Sequence, residues 1–244
     1  MAQNTNNYGL DVFGEALLDY QKEIYTEDIK TFSSLNEEDI IPLPHLFRTY
    51  DKMPLLEQKA LKLCKGNILD IGSGAGSHSL YLQEKGFKVT ALDISLGAIE
   101  TCKLRGIKNT IHKSILAYSG TEFDTLLLLM NGIGVVEKLE NLDSYLKHFK
   151  TLLKPSGQIL LDSSDIIYMY EQDDDGGYWI TNDSTYYGEV EFIMEYKDRK
   201  SNPFGWLYLD HNTLKNASES NGLNCELVSE GEHYDYLARL TLKS

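Results

Sequence analysis

The stretch Ile68-Leu69-Asp70-Ile71-Gly72-Ser73-Gly74-Ala75-Gly76-Ser77 is an apolar run that carries an acid and passes straight into three glycines at alternate positions. The run predicts a buried strand over Asn67 to Ile71. The glycines predict a turn whose backbone comes close to a ligand, because glycine accepts left-handed conformations and puts no side chain in the way. Ser77 to Lys85 then predicts a helix ended by Gly86, and the start of such a helix presents unpaired N–H groups. A second strand, Lys88 to Asp93, closes on an acid placed to accept hydrogen bonds from two ribose hydroxyls.

Outward from this unit the same alternation continues, which predicts an α/β fold with a mainly parallel sheet. Ser95 is a helix cap before Ala98 and Cys102, Gly106 ends that helix, and Asn109 to His112 reads as the third strand. Asp124 to Met130 contains four consecutive leucines, as a central strand buried on both faces requires. Asn141 to Leu153 is the clearest amphipathic helix, stopped by Pro155 and Gly157, and Gln158 to Asp162 is the fifth strand. Asn212 to Asn221 predicts a further helix. Asn224 to Glu230 and Tyr236 to Leu242 predict a terminal antiparallel hairpin, which brings the expected sheet to seven strands.

Two segments stand outside the repeating units. Residues 1–60 read as a helical N-terminal extension ahead of a core over 61–244, and Ser163 to Gly205 reads as an insertion too long for an ordinary connection. Within the insertion Val190, Phe192, Met194 and Tyr196 alternate with polar neighbours, which predicts a β-rich, antiparallel flap. Both segments are candidate lids.

A chain of 244 residues suits one core domain with additions. Its 42% hydrophobic content suits a globular core, yet no apolar run reaches the roughly 20 residues that span a bilayer, so a soluble protein is expected. The first residues, MAQNTNNYGL, have neither the basic start nor the apolar segment of a secretory signal, and the cytoplasm is the expected location. Lys and Arg number 23 against 37 Asp and Glu; the net charge of −14 opposes approach to a phosphate backbone and argues against a nucleic-acid partner. Cys64, Cys102 and Cys225 have no metal or redox spacing and read as reduced packing residues. Glu171 to Gly176 partly matches a calcium loop, but position 12 is Asn182, so a solvated turn and no metal are expected.

The first motif resembles that of the class I S-adenosylmethionine-dependent methyltransferases, with Asp70-x-Gly72-x-Gly74-x-Gly76 in the family's pattern and the likeness running over residues 55–162 and 210–242. The resemblance implies a Rossmann-like sheet and S-adenosylmethionine as cofactor. It sets Asp70, Gly72, Ser73, Gly74 and Gly76 against the methionine part, Asp93 on the ribose and Ile94 beside the adenine. The family often has an acid after strand three, whereas here Ser114 and Ile115 take that place. Asn131, after Met130 at the end of strand four, falls beside the methionine end, and Arg48 and Tyr50 fall in a segment that closes over the cofactor's carboxylate.

Methyl transfer from a sulfonium is an in-line displacement, so the protein has chiefly to align two reactants and exclude water. His45 and His211 are the candidate bases, and a histidine in either setting is more often an ordinary structural or surface residue. After strand four the chain reads Met130-Asn131-Gly132-Ile133, without the Asn/Asp-Pro-Pro-aromatic signature of adenine and glutamine methylases or the paired glutamates of arginine methylases. A small-molecule acceptor is therefore expected, walled in part by flap aromatics such as Tyr168, Tyr170, Trp179, Trp206 and Tyr208. Two alternatives stay open at this point. One is a module that binds the cofactor without turnover. The other is a nicotinamide-dependent dehydrogenase, whose Gly-x-Gly-x-x-Gly loop would need a glycine where this chain has Ser77.

Overall fold

The computed structural model describes residues 10–173, 175, 177–178 and 185–243. The chain begins with α1 (Val12–Gln21), capped by the Asp11 carboxylate, which accepts the Gly14 amide at 3.0 Å. A hairpin follows, β1 (Ile29–Ser33) and β2 (Glu38–Ile41), then α2 (Leu43–Leu46) and α3 (Leu55–Leu63). The alternating part runs β3 (Asn67–Ile71), α4 (Ser77–Glu84), β4 (Lys88–Asp93), α5 (Leu96–Leu104), β5 (Thr110–His112), β6 (Phe123–Leu128), α6 (Leu142–Thr151) and β7 (Leu153–Ser164). The insertion supplies β8 (Glu189–Tyr196), β9 (Arg199–Lys200) and β10 (Phe204–Leu207), and the chain closes with α7 (His211–Ser220), β11 (Leu223–Glu230) and β12 (Asp235–Leu242).

The main sheet has seven strands in the order β11-β12-β7-β6-β3-β4-β5. β7, β6, β3, β4 and β5 are parallel, and β12 is antiparallel to both of its neighbours. The leucine run shows why the centre is stable. Leu126 and Leu128 enter the core on one face of the sheet, while Leu127 and Leu129 enter the core on the other, so β6 is apolar on both sides. The chain leaves β3 toward β4 on one side and returns as β6 on the other, and an open α/β sheet binds ligands at the strand ends beside such a reversal.

A second, smaller sheet has the order β10-β8-β1-β2, with β9 paired to β8. It joins the N-terminal hairpin to the insertion, with Thr31 opposite Met194 and Trp206 opposite Val190. The N-terminal segment expected to be helical thus holds β1 and β2 between its helices. A four- or five-residue strand announces itself weakly, and the second partner of β1, β8, comes from the far end of the chain. Smaller differences concern boundaries. β7 begins at Leu153 and takes Pro155 and Gly157 into an irregular first part, and β6 stops at Leu128, two residues before Met130. Of the insertion, Asp174, Gly176, Trp179 and Asn182 lie outside the described residues, and with them the aromatic wall at Trp179 and part of the acidic loop.

Candidate active site

Gly72, Gly74 and Gly76 all have left-handed backbones, with φ of +72°, +52° and +79°. They are glycines for two different reasons. A Cβ on Gly76 would lie 2.3 Å from Ile107 Cδ1 and 2.8 Å from Cys102 Sγ, so this position serves the packing of α4 on its neighbours. A Cβ on Gly72 or Gly74 would meet nothing closer than Val135 at 3.8 Å and the Phe13 ring at 3.7 Å, so the face they present is bare backbone. The Gly72 and Ser73 amides both donate to the Leu92 carbonyl, at 2.9 and 3.2 Å, which anchors the turn to β4. The Ser73 hydroxyl faces Cys102 Sγ at 3.8 Å, inside the protein.

The two acids of the motif are buried. Asp70 accepts the Ser79 hydroxyl at 2.7 Å beneath the turn, and burial raises its pKa against the opposing pull of His78 and Ser79. Asp93 accepts the Gly74 amide on one oxygen and the Ser95 amide on the other, both at 2.8 Å. Burial pushes its pKa up to about 6, less than it would without those two amides. Each carboxylate oxygen keeps a second lone pair, so Asp93 pins the turn and still has capacity for hydroxyl donors. Ile94 is exposed at the rim beyond it. Ser114 precedes the single helical turn Ile115–Ala117 after β5, while Ile115 is turned into the core and gives its carbonyl to His148.

On the other side of β3, Met130 and Asn131 follow β6 in consecutive left-handed conformations, φ +67° and +54°, although neither is glycine. Asp162, near the end of β7, accepts the Met130 amide at 3.0 Å and the Gly132 amide at 2.9 Å. The Asn131 side chain donates to the Leu207 carbonyl at 3.1 Å and accepts the Ser163 hydroxyl at 3.0 Å, which spends it on the flap and on β7. Half-exposed Met130 is the side chain this turn offers outward.

Arg48 does not reach over the turn as expected. Its guanidinium is buried against Glu57 and the His45 carbonyl, and Glu57 in turn binds His78 Nε2 at 2.7 Å. Burial pushes the Glu57 pKa up, but His78 and Arg48 together hold it below the usual range. A buried arginine requires a carboxylate, and Glu57 is the one at hand. Arg48 Nε has no partner among the described residues. Tyr50 stacks on Tyr81 with ring centres 4.2 Å apart.

The two histidines are not brought together. His45 is exposed on α2, whose Leu46 carbonyl accepts the Ser77 hydroxyl, whereas His211 opens α7 with its ring edge-on to Tyr236 of β12 at 5.4 Å. Burial lowers the pKa of both, with Arg48 and Lys215 respectively adding to the effect.

Three features at the site escaped the sequence reading. Phe13 of α1 lies against Gly74, and Asp11 accepts the Gly97 amide and the Ser95 hydroxyl, each at 2.9 Å, so α1 is fastened across the Asp93 side of the turn. The Glu57–His78 pair is visible only once α3 and α4 are packed. Asp162 had a signal: the runs NILD, TALD and ILLD each carry an aspartate at or within two residues of the end of an apolar strand, at Asp70, Asp93 and Asp162.

Residues 29–228 match the family model described as "Methyltransferase domain", which is more than half of the chain. A solved structure, described as an S-adenosylmethionine-dependent methyltransferase from Bacteroides fragilis in complex with S-adenosyl-L-homocysteine, is 44% identical. It covers 96% of this chain and 95% of its own, with a TM-score of 0.89. The chain belongs to the S-adenosylmethionine-dependent methyltransferases.

The curated relatives of this methyltransferase are more distant. A ubiquinone biosynthesis O-methyltransferase from Rickettsia conorii is 28% identical over 121 residues, which is 48% of this chain and 42% of the relative. A 23S rRNA (uracil-C5)-methyltransferase from Pyrococcus horikoshii is 35% identical over 65 residues, 26% of this chain and 16% of the relative. The methyltransferase thus spans less than half the length of the curated relatives it matches. No helix among its described residues is long and apolar enough to cross a membrane.

Proposed function

We propose that this methyltransferase binds S-adenosylmethionine across the ends of β4, β3 and β6 and passes its methyl group to a small-molecule acceptor. The observation that carries the reading is the bare backbone at Gly72 and Gly74 beside the Asp93 carboxylate, a surface suited to the sugar and chain of a nucleoside and to little else. In this reading Asp93 takes the ribose hydroxyls, Ile94 and Ser114 border the base, and the Met130–Asn131 turn borders the reacting end. Ser73, Gly76 and Asp70 act from behind, by shaping the turn, and Ile115 packs in the core after β5. Arg48 and Tyr50 hold the α2–α4 side through Glu57 and Tyr81.

S-adenosylmethionine supplies the electrophilic methyl carbon, and the protein's part is to align the acceptor and keep water away. The small sheet and α1 suit the second task. Trp206 of β10 lies against the backbone of Gly134, just beyond the Met130–Asn131 turn, so the flap is seated next to the reacting end. Among the described residues neither candidate base, His45 or His211, hydrogen-bonds to the turn, which favours an acceptor that needs no strong base, such as an amine or a thiol in its reactive form. The net charge of −14 supports a small acceptor over a nucleic acid. The three cysteines are free thiols, Cys64 and Cys102 buried, which suits the cytoplasm.

Thermal melts with S-adenosylhomocysteine test the cofactor. At about 100 times Kd the stabilisation is about 2.7 kcal/mol, or about 5 to 10 °C for a chain of this size. No shift would sink the reading. Incubation with methyl-labelled cofactor and a small-molecule extract tests turnover; ligand binding with no labelled product would leave a binding module.

A further inference from the structure

Asp162 has no place in the functional reading above, yet it is buried at the C-terminal end of β7, beside the strand ends where that reading puts the reacting groups. Both of its oxygens are engaged by the backbone of one turn, with Met130 N at 3.0 Å and Gly132 N at 2.9 Å. That turn contains two successive non-glycine residues in left-handed conformation, which persist only where the surroundings over-determine them. The next residue completes the support. The Ser163 hydroxyl donates to Asn131 Oδ1 and accepts the Leu209 amide at 2.9 Å, while Asn131 Nδ2 reaches the Leu207 carbonyl.

We propose that Asp162 is a positioning residue for the amino-acid arm of the cofactor, acting by bracing the Met130–Asn131 turn. This deepens the cofactor reading and rests on it. The placement follows from strand order. Asp93 on β4 marks the nucleoside side of the β3 turn, and β6 lies on the opposite side of β3, so the turn after β6 borders the part of the ligand remote from the ribose. A carboxylate is suited to the task because it offers full acceptors to two amides at once, whereas an amide side chain offers one oxygen and turns an N–H toward the second donor. The charged groups that face Asp162 are Glu57 of α3 and His78 of α4, and they are paired with each other. Burial pushes the pKa of Asp162 up to about 7, against the opposing pull of the Gly132 and Met130 amides.

The test compares two ligands by calorimetric titration. S-adenosylhomocysteine carries the amino-acid arm; 5′-methylthioadenosine has the same nucleoside and sulfur without it. For Asp162→Asn, the affinity for S-adenosylhomocysteine should fall about tenfold, one lost hydrogen bond of this kind, while 5′-methylthioadenosine binds within about twofold of the parent protein. Ser163→Ala, which removes the lateral support at Asn131 together with the acceptor of the Leu209 amide but leaves Asp162 in place, should give a smaller effect of the same pattern and guards against misfolding of the first variant. Equal losses for both ligands, or no loss for either in both variants, would overturn the proposal. A parent protein that binds neither ligand would overturn the cofactor reading and this inference with it.

Discussion

The turn after β3 and the turn after β6 lie side by side and meet the same geometric demand by opposite means. The first reaches left-handed backbone with Gly72, Gly74 and Gly76, at almost no steric cost; the second does so with Met130 and Asn131, which keep their side chains and need support. The support has the same form in both. Asp93, on the strand outside β3, holds the Gly74 amide, and Asp162, on the strand outside β6, holds the Met130 and Gly132 amides. A glycine turn is open to a ligand's backbone-sized approach. A braced turn with side chains is able to choose what it touches.

Four substitutions or conditions sharpen or break this comparison. The largest effect is expected for Gly76→Ala, where the new Cβ would overlap Ile107 and the backbone would be strained as well; unfolding in urea should show a loss of about 3 kcal/mol or more. A loss below about 1 kcal/mol would show that the turn tolerates what the comparison says it cannot. The next concerns pH. Asp162 is raised from 3.8 to about 7, so the native state binds its proton more tightly than the unfolded chain does, and stability from this group falls as pH rises from about 4 through about 7. Asp162→Asn should reduce that slope, leaving the share that Asp93, raised to about 6, contributes below about pH 6, and an unchanged slope would remove Asp162 as a source. For Gly74→Ala, with room for the methyl group but φ of +52°, about 1 to 2 kcal/mol of stability should go. Binding of S-adenosylhomocysteine should weaken more than stability alone explains. The smallest effect is expected for Met130→Gly, which trades relief of backbone strain for chain entropy and should lie within about 1 kcal/mol of the parent protein by urea melt.

The difference between the turns also governs what was legible beforehand. Glycines at 72, 74 and 76, after an apolar strand, state their backbone conformation in the sequence itself, and Asp93 follows at the next strand end. Met130 and Asn131 state nothing of the kind, because their conformation is imposed by a carboxylate on another strand. The seven-stranded sheet was readable for a similar reason: Leu126 to Leu129 and the terminal hairpin report their burial locally. β1 and β2 were not, since the hairpin they form is short and its inner edge is completed only by β8 from far along the chain. Arg48 shows the same limit at one side chain. Its charge and position suggested a ligand's carboxylate, and the fold supplies Glu57 instead.

The small sheet has a consequence for the order in which the molecule is made. β1 emerges from the ribosome early, but its partner β8 lies beyond the whole parallel core, and α1 likewise waits for Lys197 and Arg199, which it meets through Asp19 and Glu15 at 2.6 and 2.5 Å. At ordinary elongation speeds that interval is roughly 10 to 30 s. Throughout it the β1 edge of the N-terminal hairpin stays open, although α1 already has its partners on α5 through Asp11, so the parallel strands β3 to β7 are made before the small sheet is closed, and a nascent chain stalled ahead of residue 189 would expose that edge.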